Sequence, residues 1–594
     1  MCGIYSIYSK ENINIKSFFE SLKELEYRGY DSAGVALVVG SRLKVFKTTS
    51  KIKSLEPKLK KDIKTSLILG HTRWATHGTP SILNCHPHYH NGLYLVHNGI
   101  VENYDELRKT RYVGNAKLLT ETDSELIACM ISYFYKTTHS LSKSVNKVGR
   151  ILKGSNSFLC IDENNLGTLV AYKNKTPLFF GLKDNGSYAF SSDLNAMKEN
   201  LNKYLSLENN QIIEIKNNIC TLFDNSYEPI DKLLVPYKLE VSKSLKNKIS
   251  KDSITYNEIK SQSKLIPEFF DSFPGVFKQI KNIKKPKNIV IIGCGSSFNS
   301  AMLGKLYFEK VSNIPTEIFR PSEFTFFKDN KKTLYIFLSQ SGETADICDL
   351  LESNKEYFSN SLSIVNNFDS RLVNGTKNYV NLDLGIEKGV AATKTFIGQL
   401  VALYLISSYF KGQTSINTNT FKKAFRSFFS VEKDIKKIAK LFFRYKSFYI
   451  LGRNYTYPIA LEGALKIKEI SYIHCEALLS SEMKHGPIAL LDKNFPILYF
   501  ISTDKNTILK EISNLYEIKT RTNNIVLFAS SSILNKLGKK FLDEINYIKI
   551  PDTQSELVPI FFTLSIQFLS FYFAKLKKIP VDQPRNLAKV VTVA

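Results

Sequence analysis

Twice in this chain an unbroken apolar run ends at a glycine turn and passes straight into a helix-length segment. Asn288-Ile-Val-Ile-Ile-Gly-Cys-Gly is the first instance and Ser447-Phe-Tyr-Ile-Leu-Gly-Arg-Asn the second. Residues that are apolar at consecutive positions, not alternate ones, describe a strand covered on both faces, which points to a parallel sheet wrapped by helices. The next strand of each unit matches in kind, Tyr335-Ile-Phe-Leu-Ser-Gln-Ser-Gly beside Ile497-Leu-Tyr-Phe-Ile-Ser-Thr-Asp. The region therefore reads as two tandem copies of one α/β unit, joined through a Lys-rich helical stretch around Phe421 to Phe443.

Residues 1 to about 215 follow another grammar, with short alternating strands broken by Gly, Asn and Pro turns and helices expected around Ser17–Leu25 and Asp123–Tyr135. From about 216 to 275 the chain is polar, rich in Lys, Asn and Ser and only weakly periodic, which suits a connector. The 594 residues leave room for three or four domains. The expected division is 2–215, a connector 216–275, α/β units at 276–420 and 440–580, and a tail 581–594. Thr395 to Phe410 and Val558 to Ala574 are the only membrane-span candidates. Each falls short of the roughly 20 residues a bilayer needs, and each carries a glutamine near its middle, Gln399 and Gln567. Both are expected as buried helices.

The formal net charge is +26, from 81 Lys+Arg against 55 Asp+Glu. The basic residues are scattered and accompany a general richness in Lys, Asn, Ile, Phe and Tyr, whose codons are A/T-rich. A nucleic-acid partner, which wants a basic stripe or arm, is therefore not expected. Eight cysteines without paired spacing argue against a disulfide framework or a structural zinc. No basic stretch followed by an apolar core opens the chain, so a reducing, cytoplasmic setting is expected.

Chemistry enters at Met1-Cys2-Gly3-Ile4. Removal of the initiator Met leaves Cys2 with a free α-amine, whose pKa of roughly 7.7 to 8 lets it take the thiol proton, directly or through water. One residue then supplies both nucleophile and base. The segments Leu25-Glu-Tyr-Arg-Gly-Tyr-Asp-Ser-Ala-Gly, His71-Thr-Arg-Trp-Ala-Thr-His-Gly, His97-Asn-Gly-Ile-Val-Glu-Asn and Thr120-Glu-Thr-Asp-Ser-Glu resemble, in order and spacing, the class II glutamine amidotransferase family. The resemblance implies that Cys2 attacks the glutamine side-chain amide to form a thioester. The Asn98 side chain and the Gly99 N–H then meet the oxyanion. Arg73 takes the substrate carboxylate with Thr76 and His77 nearby, and Asp123 takes its ammonium. Thr122-x-x-Glu125 also has the form of a capping box, which would make Asp123 a helix-start residue. Three histidines in His86-Pro87-His88-Tyr89-His90 can share one strand face, but no acidic or Cys ligand accompanies them and the family needs no metal.

Leu338-Ser-Gln-Ser-Gly-Glu-Thr-Ala-Asp lies between an apolar strand and a helix, so Ser339, Gln340, Ser341 and Thr344 are placed to hold a phosphate; a simple Ser/Thr cap is the alternative. With Cys294-Gly295-Ser296-Ser297, the motif resembles the sugar isomerase domain family. Ala460-Leu-Glu-Gly-Ala-Leu-Lys-Ile-Lys-Glu, Glu482-Met-Lys-His-Gly-Pro and Asp582-Gln-Pro-Arg-Asn-Leu-Ala-Lys-Val-Val resemble the amidotransferases that aminate a ketose phosphate, a similarity running from residue 2 almost to the end.

That resemblance implies an α+β, Ntn-type (αββα) glutaminase domain followed by two three-layer α/β sugar isomerase domains with parallel sheets. The implied activity is ammonia transfer from L-glutamine to D-fructose 6-phosphate with isomerisation, giving D-glucosamine 6-phosphate and L-glutamate, a step of amino sugar biosynthesis. The resemblance implies no cofactor and no metal, a homodimer as the assembly, and neither nucleic acid nor membrane as a partner. His485, serving a neighbouring subunit, opens the sugar ring; Lys589 forms a Schiff base; Glu469 moves the proton between C1 and C2. Lys466, three residues before Glu469, is either its ion-pair partner or a cation assisting the sugar hydroxyls. Backbone near Val390 and Ala588 touches the sugar. Ammonia crosses by an internal channel, and Trp74 is either its gate or a core residue. Two departures stand out: Val390-Ala-Ala392-Thr-Lys has Ala where the family has Ser, and Asn257-Glu-Ile-Lys-Ser-Gln-Ser is a loose match to the family's connector. A phosphosugar-binding protein with a separate glutaminase activity is the rival reading. An amidotransferase acting on phosphoribosyl pyrophosphate would lack the tandem domains.

Overall fold

The computed structural model describes residues 2–59, 63–237, 253–326, 332–413 and 418–590. The chain forms two compact units, one up to Val241 and one from Ser242 to Lys589.

In the first unit two antiparallel sheets lie face to face between helices. One sheet has eight strands, in the spatial order Val235–Pro236, Leu201–Ser206, Phe179–Lys183, Tyr188–Ser191, Gly3–Tyr8, Leu67–Arg73, Ser32–Val39 and Arg42–Thr48. The other has six: Ile219–Phe223, Gln211–Lys216, Asn165–Asn174, Asn156–Asp162, Leu93–Gly99 and His88–His90. The strand Gly3–Tyr8 shows why both faces must be apolar. Side chains alternate along a strand, so Ile4 and Tyr8 enter the core between the sheets with Val96, Leu159 and Ala171. Tyr5 and Ile7 face the other way, into a core with Phe18, Phe19 and Leu22 of the helix Ile15–Lys23. Helices Asp123–Thr138 and Leu141–Ile151 cover the second sheet through Leu126, Ile127, Val145 and Val148. The stretch after residue 215 differs from the expected connector. Ile219–Phe223 pairs with Gln211–Lys216, and Val235–Pro236 pairs with Leu201–Ser206, so the sheets draw in a polar segment through backbone hydrogen bonds that apolar periodicity does not report.

The second unit holds two five-stranded parallel sheets with one strand order. In the first the order is Thr316–Phe319, Asn288–Gly293, Thr333–Leu338, Ser361–Val365 and Asn378–Asn381. In the second it is His474–Leu479, Ser447–Gly452, Ile497–Phe500, Ile525–Ser530 and Asn546–Ile550. The runs matched in sequence occupy equivalent places. Between them in the chain comes an edge strand, Thr316–Phe319 or His474–Leu479, each broken by a glutamate, Glu317 or Glu476, and so not legible as a buried run. The two halves share one apolar core, in which helices Lys394–Phe410 and Val558–Leu576 are buried as expected. By length and composition Val558–Leu576 is the one helix among the described residues that is able to cross a bilayer, and 94% of its apolar window is buried within the unit. Its Gln567 accepts from Gln262 Nε2 at 2.8 Å and donates to the Thr393 carbonyl at 3.0 Å. Gln399 accepts from Ser300 Oγ at 2.9 Å and donates to Ser297 Oγ at 3.0 Å. Each glutamine thus ties its helix to a neighbour where hydrocarbon could not.

Candidate active sites

In the first unit Cys2 stands at the start of the strand Gly3–Tyr8, and its thiol receives the Trp74 N–H at 3.3 Å. Arg28 Nε holds the Cys2 carbonyl at 3.1 Å. Burial pushes the thiol pKa up, while the Trp74 N–H and the Arg73 charge oppose that and Asp123 adds to it, so both charged groups act on the sulfur. Trp74 is half-buried and packs edge-on against Tyr30 at 5.8 Å, a position at the site's surface and not in a core. Arg73 is buried, and its guanidinium donates to the carbonyls of His77, of Gly78 at 2.9 Å and of Thr79 at 3.5 Å. Thr76 is exposed, and its hydroxyl lies 3.4 Å from His77 Nδ1.

Asn98 and Gly99 end the strand Leu93–Gly99. Asn98 Nδ2 donates to Ser192 Oγ at 2.7 Å, which also receives the Ile4 N–H at 2.8 Å, so Ser192 sets the amide beside the strand that carries Cys2. Gly99 has φ +146°, and a Cβ there would lie 1.9 Å from the Ser155 carbonyl oxygen. Asp123 opens its helix, and its Oδ2 accepts from the Val101 N–H at 3.0 Å. The capping box does not form. Thr122 Oγ1 turns to His88 Nε2 at 3.2 Å, and the Glu125 carboxylate takes the Leu119 and Thr120 N–H groups at 2.9 and 2.6 Å.

All three histidines of 86–90 face the start of this helix. His86 Nε2 meets Ser124 Oγ at 3.0 Å, His88 meets Thr122, and His90 Nδ1 lies 3.9 Å from Glu125. Burial lowers the pKa of His71 to about 3 and holds His86 and His88 far below the usual histidine value, so these rings are neutral. Among the described residues no three His, Cys, Asp or Glu side chains are grouped to hold a metal.

In the second unit the loop Ser339–Thr344 joins the strand Thr333–Leu338 to the helix Ala345–Ser353. Ser339 Oγ accepts the Gly342 N–H at 3.0 Å and lies 2.9 Å from Thr344 Oγ1, while Ser341 Oγ accepts the Glu343 N–H at 3.1 Å. These bonds curl hydroxyls and N–H groups around the helix N-terminus, which is an anion cradle in form. Gln340 and Ser341 are partly exposed. Cys294 precedes the helix Gly295–Val311, and burial followed by Asp346 pushes its thiol to about 11. Ser296 Oγ donates to Glu462 Oε1 at 2.9 Å, and Asn299 Nδ2 donates to Glu462 Oε2 at 2.9 Å.

Glu462 belongs to the helix Tyr457–Ser471, which also carries Lys466 and Glu469. Lys466 Nζ lies 3.3 Å from Glu462 and 2.6 Å from Glu469. Burial alone would lower the Lys466 pKa, but the two carboxylates reverse that and raise it, so the lysine is a fixed cation. The ion pair exists, and it sits against the helix that carries Ser296. Lys589 reaches the same unit from the tail, its Nζ 2.6 Å from Glu387 Oε2. The Val390 N–H donates to the Asp582 carbonyl at 3.3 Å, which sets the loop before the Lys394 helix beside the tail. Ala588 is partly exposed in that tail, next to Lys589. His485 ends the turn Ser480–His485 and is exposed.

Ser192, Asn299, Glu258, Glu387, Glu462 and Asp582 escape sequence reasoning, because an isolated Ser, Asn or carboxylate has no local signature of its partner. Their only signal was proximity to a motif, Glu258 in the loose connector match and Glu462 in the Ala460 segment.

An antiparallel αββα sandwich with a cysteine at the head of a central strand, and a duplicated parallel α/β unit with a Ser/Thr-rich loop at a helix N-terminus, define a glutamine amidotransferase carrying sugar isomerase domains. Family models agree: a glutamine amidotransferase domain matches residues 84–199, and the SIS domain matches 282–408 and 441–576. Over the whole of both chains the sequence is 36% identical to glutamine–fructose-6-phosphate aminotransferase (isomerizing) of Wigglesworthia glossinidia brevipalpis and 34% identical to that of Aquifex aeolicus. A solved C-terminal domain of glucosamine-fructose-6-phosphate aminotransferase from Francisella tularensis is 30% identical, covers 56% of this chain and 98% of its own, and gives a TM-score of 0.49. A Clostridium novyi structure described as a tagatose-6-phosphate ketose/aldose isomerase has the same fold at 20% identity and TM-score 0.50, over 57% of this chain and 94% of its own. The chain belongs to the glutamine–fructose-6-phosphate aminotransferase (isomerizing) family and is an enzyme of that class.

Proposed function

We propose that Cys2 releases ammonia from L-glutamine and that the second unit adds it to D-fructose 6-phosphate, yielding L-glutamate and D-glucosamine 6-phosphate. The observation that carries this reading is Lys589. A buried lysine brought by the tail into the unit that bears the phosphate cradle is what imine chemistry on an open ketose needs, and a protein that only binds phosphosugars has no use for it.

The roles follow from the chemistry. Cys2 attacks the amide carbon, Asn98 and the Gly99 N–H receive the oxyanion, and Arg73 with Thr76, His77, Trp74 and Asp123 bind the amino acid. Ser296, Ser297, Ser339, Gln340, Ser341 and Thr344 hold the phosphate end, with Cys294, Gly295, Val390 and Ala588 along the sugar. Lys589 forms the imine, Glu469 carries the proton from C1 to C2, and Lys466 steadies the charge on the enolamine. His485 opens the ring of a sugar bound to a second copy of the chain, which fits its exposure here and makes a homodimer the working assembly. The cytoplasm is the setting. We take the glutaminase domain as 2–237, its end moved past the expected 215 by the paired strands Ile219–Phe223 and Val235–Pro236, the isomerase domains as 276–420 and 440–580, and 581–594 as the catalytic tail.

The test measures glutamate and glucosamine 6-phosphate together. Equal release by the full chain is expected. Cys2→Ala should lose glutamine-dependent synthesis yet keep synthesis from an ammonium salt, and Lys589→Ala should lose both. Glutamate without aminosugar would sink the acceptor assignment.

A further inference from the structure

The second unit buries a cluster of four charged side chains, Glu258, Glu387, Lys394 and Lys589, drawn from two helices, a loop and the tail, and only Lys589 among them has a role so far. Glu387 is fully buried. Its Oε1 accepts from the Thr393 N–H at 3.0 Å, the Thr395 N–H at 3.2 Å and Thr393 Oγ1 at 3.2 Å. Its Oε2 accepts from Thr395 Oγ1 at 2.6 Å and from Lys589 Nζ at 2.6 Å. Four donors from residues 393–395 hold the carboxylate in one orientation, and its last acceptor direction locates the Lys589 amine.

The loop that carries Glu387 is itself clamped. Glu258, from the helix Ile254–Asp271, takes the Lys388 N–H at 2.6 Å and the Gly389 N–H at 3.3 Å. Lys394 Nζ holds the Ile386 carbonyl at 2.9 Å. Asp582, seven residues before Lys589, accepts at its carbonyl from Val390 and spreads its carboxylate over Ser253 Oγ, the Ile254 N–H and the Thr255 N–H at 2.6, 3.0 and 2.8 Å. The tail and the loop are thus fastened to the same helix start.

We infer that Glu387 is the positioning residue of the reactive lysine: it aims the Lys589 amine and keeps it in a closed contact until the sugar phosphate arrives. The inference rests on the reading of Lys589 as the imine-forming group. The closed Glu387–Lys589 pair is a resting state that substrate binding must open. The groups facing the amine are Glu387, Glu258 and Lys394. Burial would raise the Glu387 carboxyl, but the Lys589 ammonium, its hydrogen bond and that of Thr395 hold it down at about 2, so Glu387 is an anion at every working pH. Burial and then the Glu387 charge push Glu258 up to about 7, against Lys589 and Lys394.

The experiment compares full-length wild type with Glu387→Gln, Glu387→Asp and Lys589→Ala, using ammonium salt and fructose 6-phosphate, with borohydride to trap an imine. Glu387→Gln keeps the size and removes the charge. It should lower kcat on the order of a hundredfold with KM for the sugar changed far less, and should slow formation of the borohydride adduct at Lys589 in step with kcat. Glu387→Asp should restore kcat in part. Glu387→Gln with wild-type kcat and wild-type adduct formation overturns the inference. Wild type that yields no borohydride adduct at Lys589 overturns the imine reading itself, a separate failure.

Discussion

At Gly99 a single hydrogen decides whether the turn that ends the strand Leu93–Gly99 exists. Its φ of +146° lies where side chains are disfavoured, and a Cβ would stand 1.9 Å from the Ser155 carbonyl. Gly99→Ala should cost more than about 3 kcal/mol locally and abolish glutamine hydrolysis, read as glutamate release beside a thermal melt. Gly342 is constrained in the same way in the loop Ser339–Thr344, at φ +69° with a Cβ 2.1 Å from Ser370 Oγ. Both glycines lie within motifs that the sequence displays. What it does not display is why they are glycine, since Ser155 and Ser370 lie 56 and 28 residues away by their numbering.

Among elements, the helix Tyr457–Ser471 carries the clearest energetic liability. Lys466 balances Glu462, which is 1% exposed and also holds Ser296 and Asn299 of the other half. Lys466→Met should destabilise the chain by about 3–5 kcal/mol, because it strands a buried carboxylate. Adding Glu462→Gln should recover part of that loss in a denaturant titration.

The helix Ile508–Lys519 offers a pH test. Glu511 accepts from the Ser502 N–H at 3.2 Å and from Thr507 Oγ1 at 3.1 Å, and burial raises its carboxyl to about 8. The unfolded chain releases that proton near 4.3. Between the two values the folded form binds more protons, so this group's contribution to stability falls as pH rises, at up to about 1.4 kcal/mol per pH unit. Glu511→Gln removes the titration. Its melting temperature should match or exceed wild type by a margin that grows from pH 5 to pH 8; a constant margin contradicts the assignment.

On the scale of the whole chain, one long-range tie organises the sugar unit. Asp582 caps a helix that begins at Ile254, 328 residues earlier. Asp582→Ala removes a cap worth about 1 kcal/mol or more, a small fraction of total stability, yet it releases the segment that carries Lys589. Aminosugar formation should fall at least tenfold, and limited proteolysis should cut the tail sooner. Intact tail kinetics with unchanged synthesis would remove Asp582 from this role.

The sequence alone was enough to set the class of each layer. Consecutive apolar runs at Ile289–Ile292 and Phe448–Leu451 demand two-sided burial whatever surrounds them, Cys2 and the Ser339–Thr344 loop stand out as candidate sites by residue type and spacing, and the two apolar helices declare themselves interior by their central glutamines. The tertiary structure alone decided which charges face one another. That Glu387 meets Lys589 across 202 residues, and that Glu462 bridges the two halves, follows from how the sheets and helices close. A carboxylate's value depends on the cation and donors beside it in space, and no local pattern encodes a partner that only folding brings near.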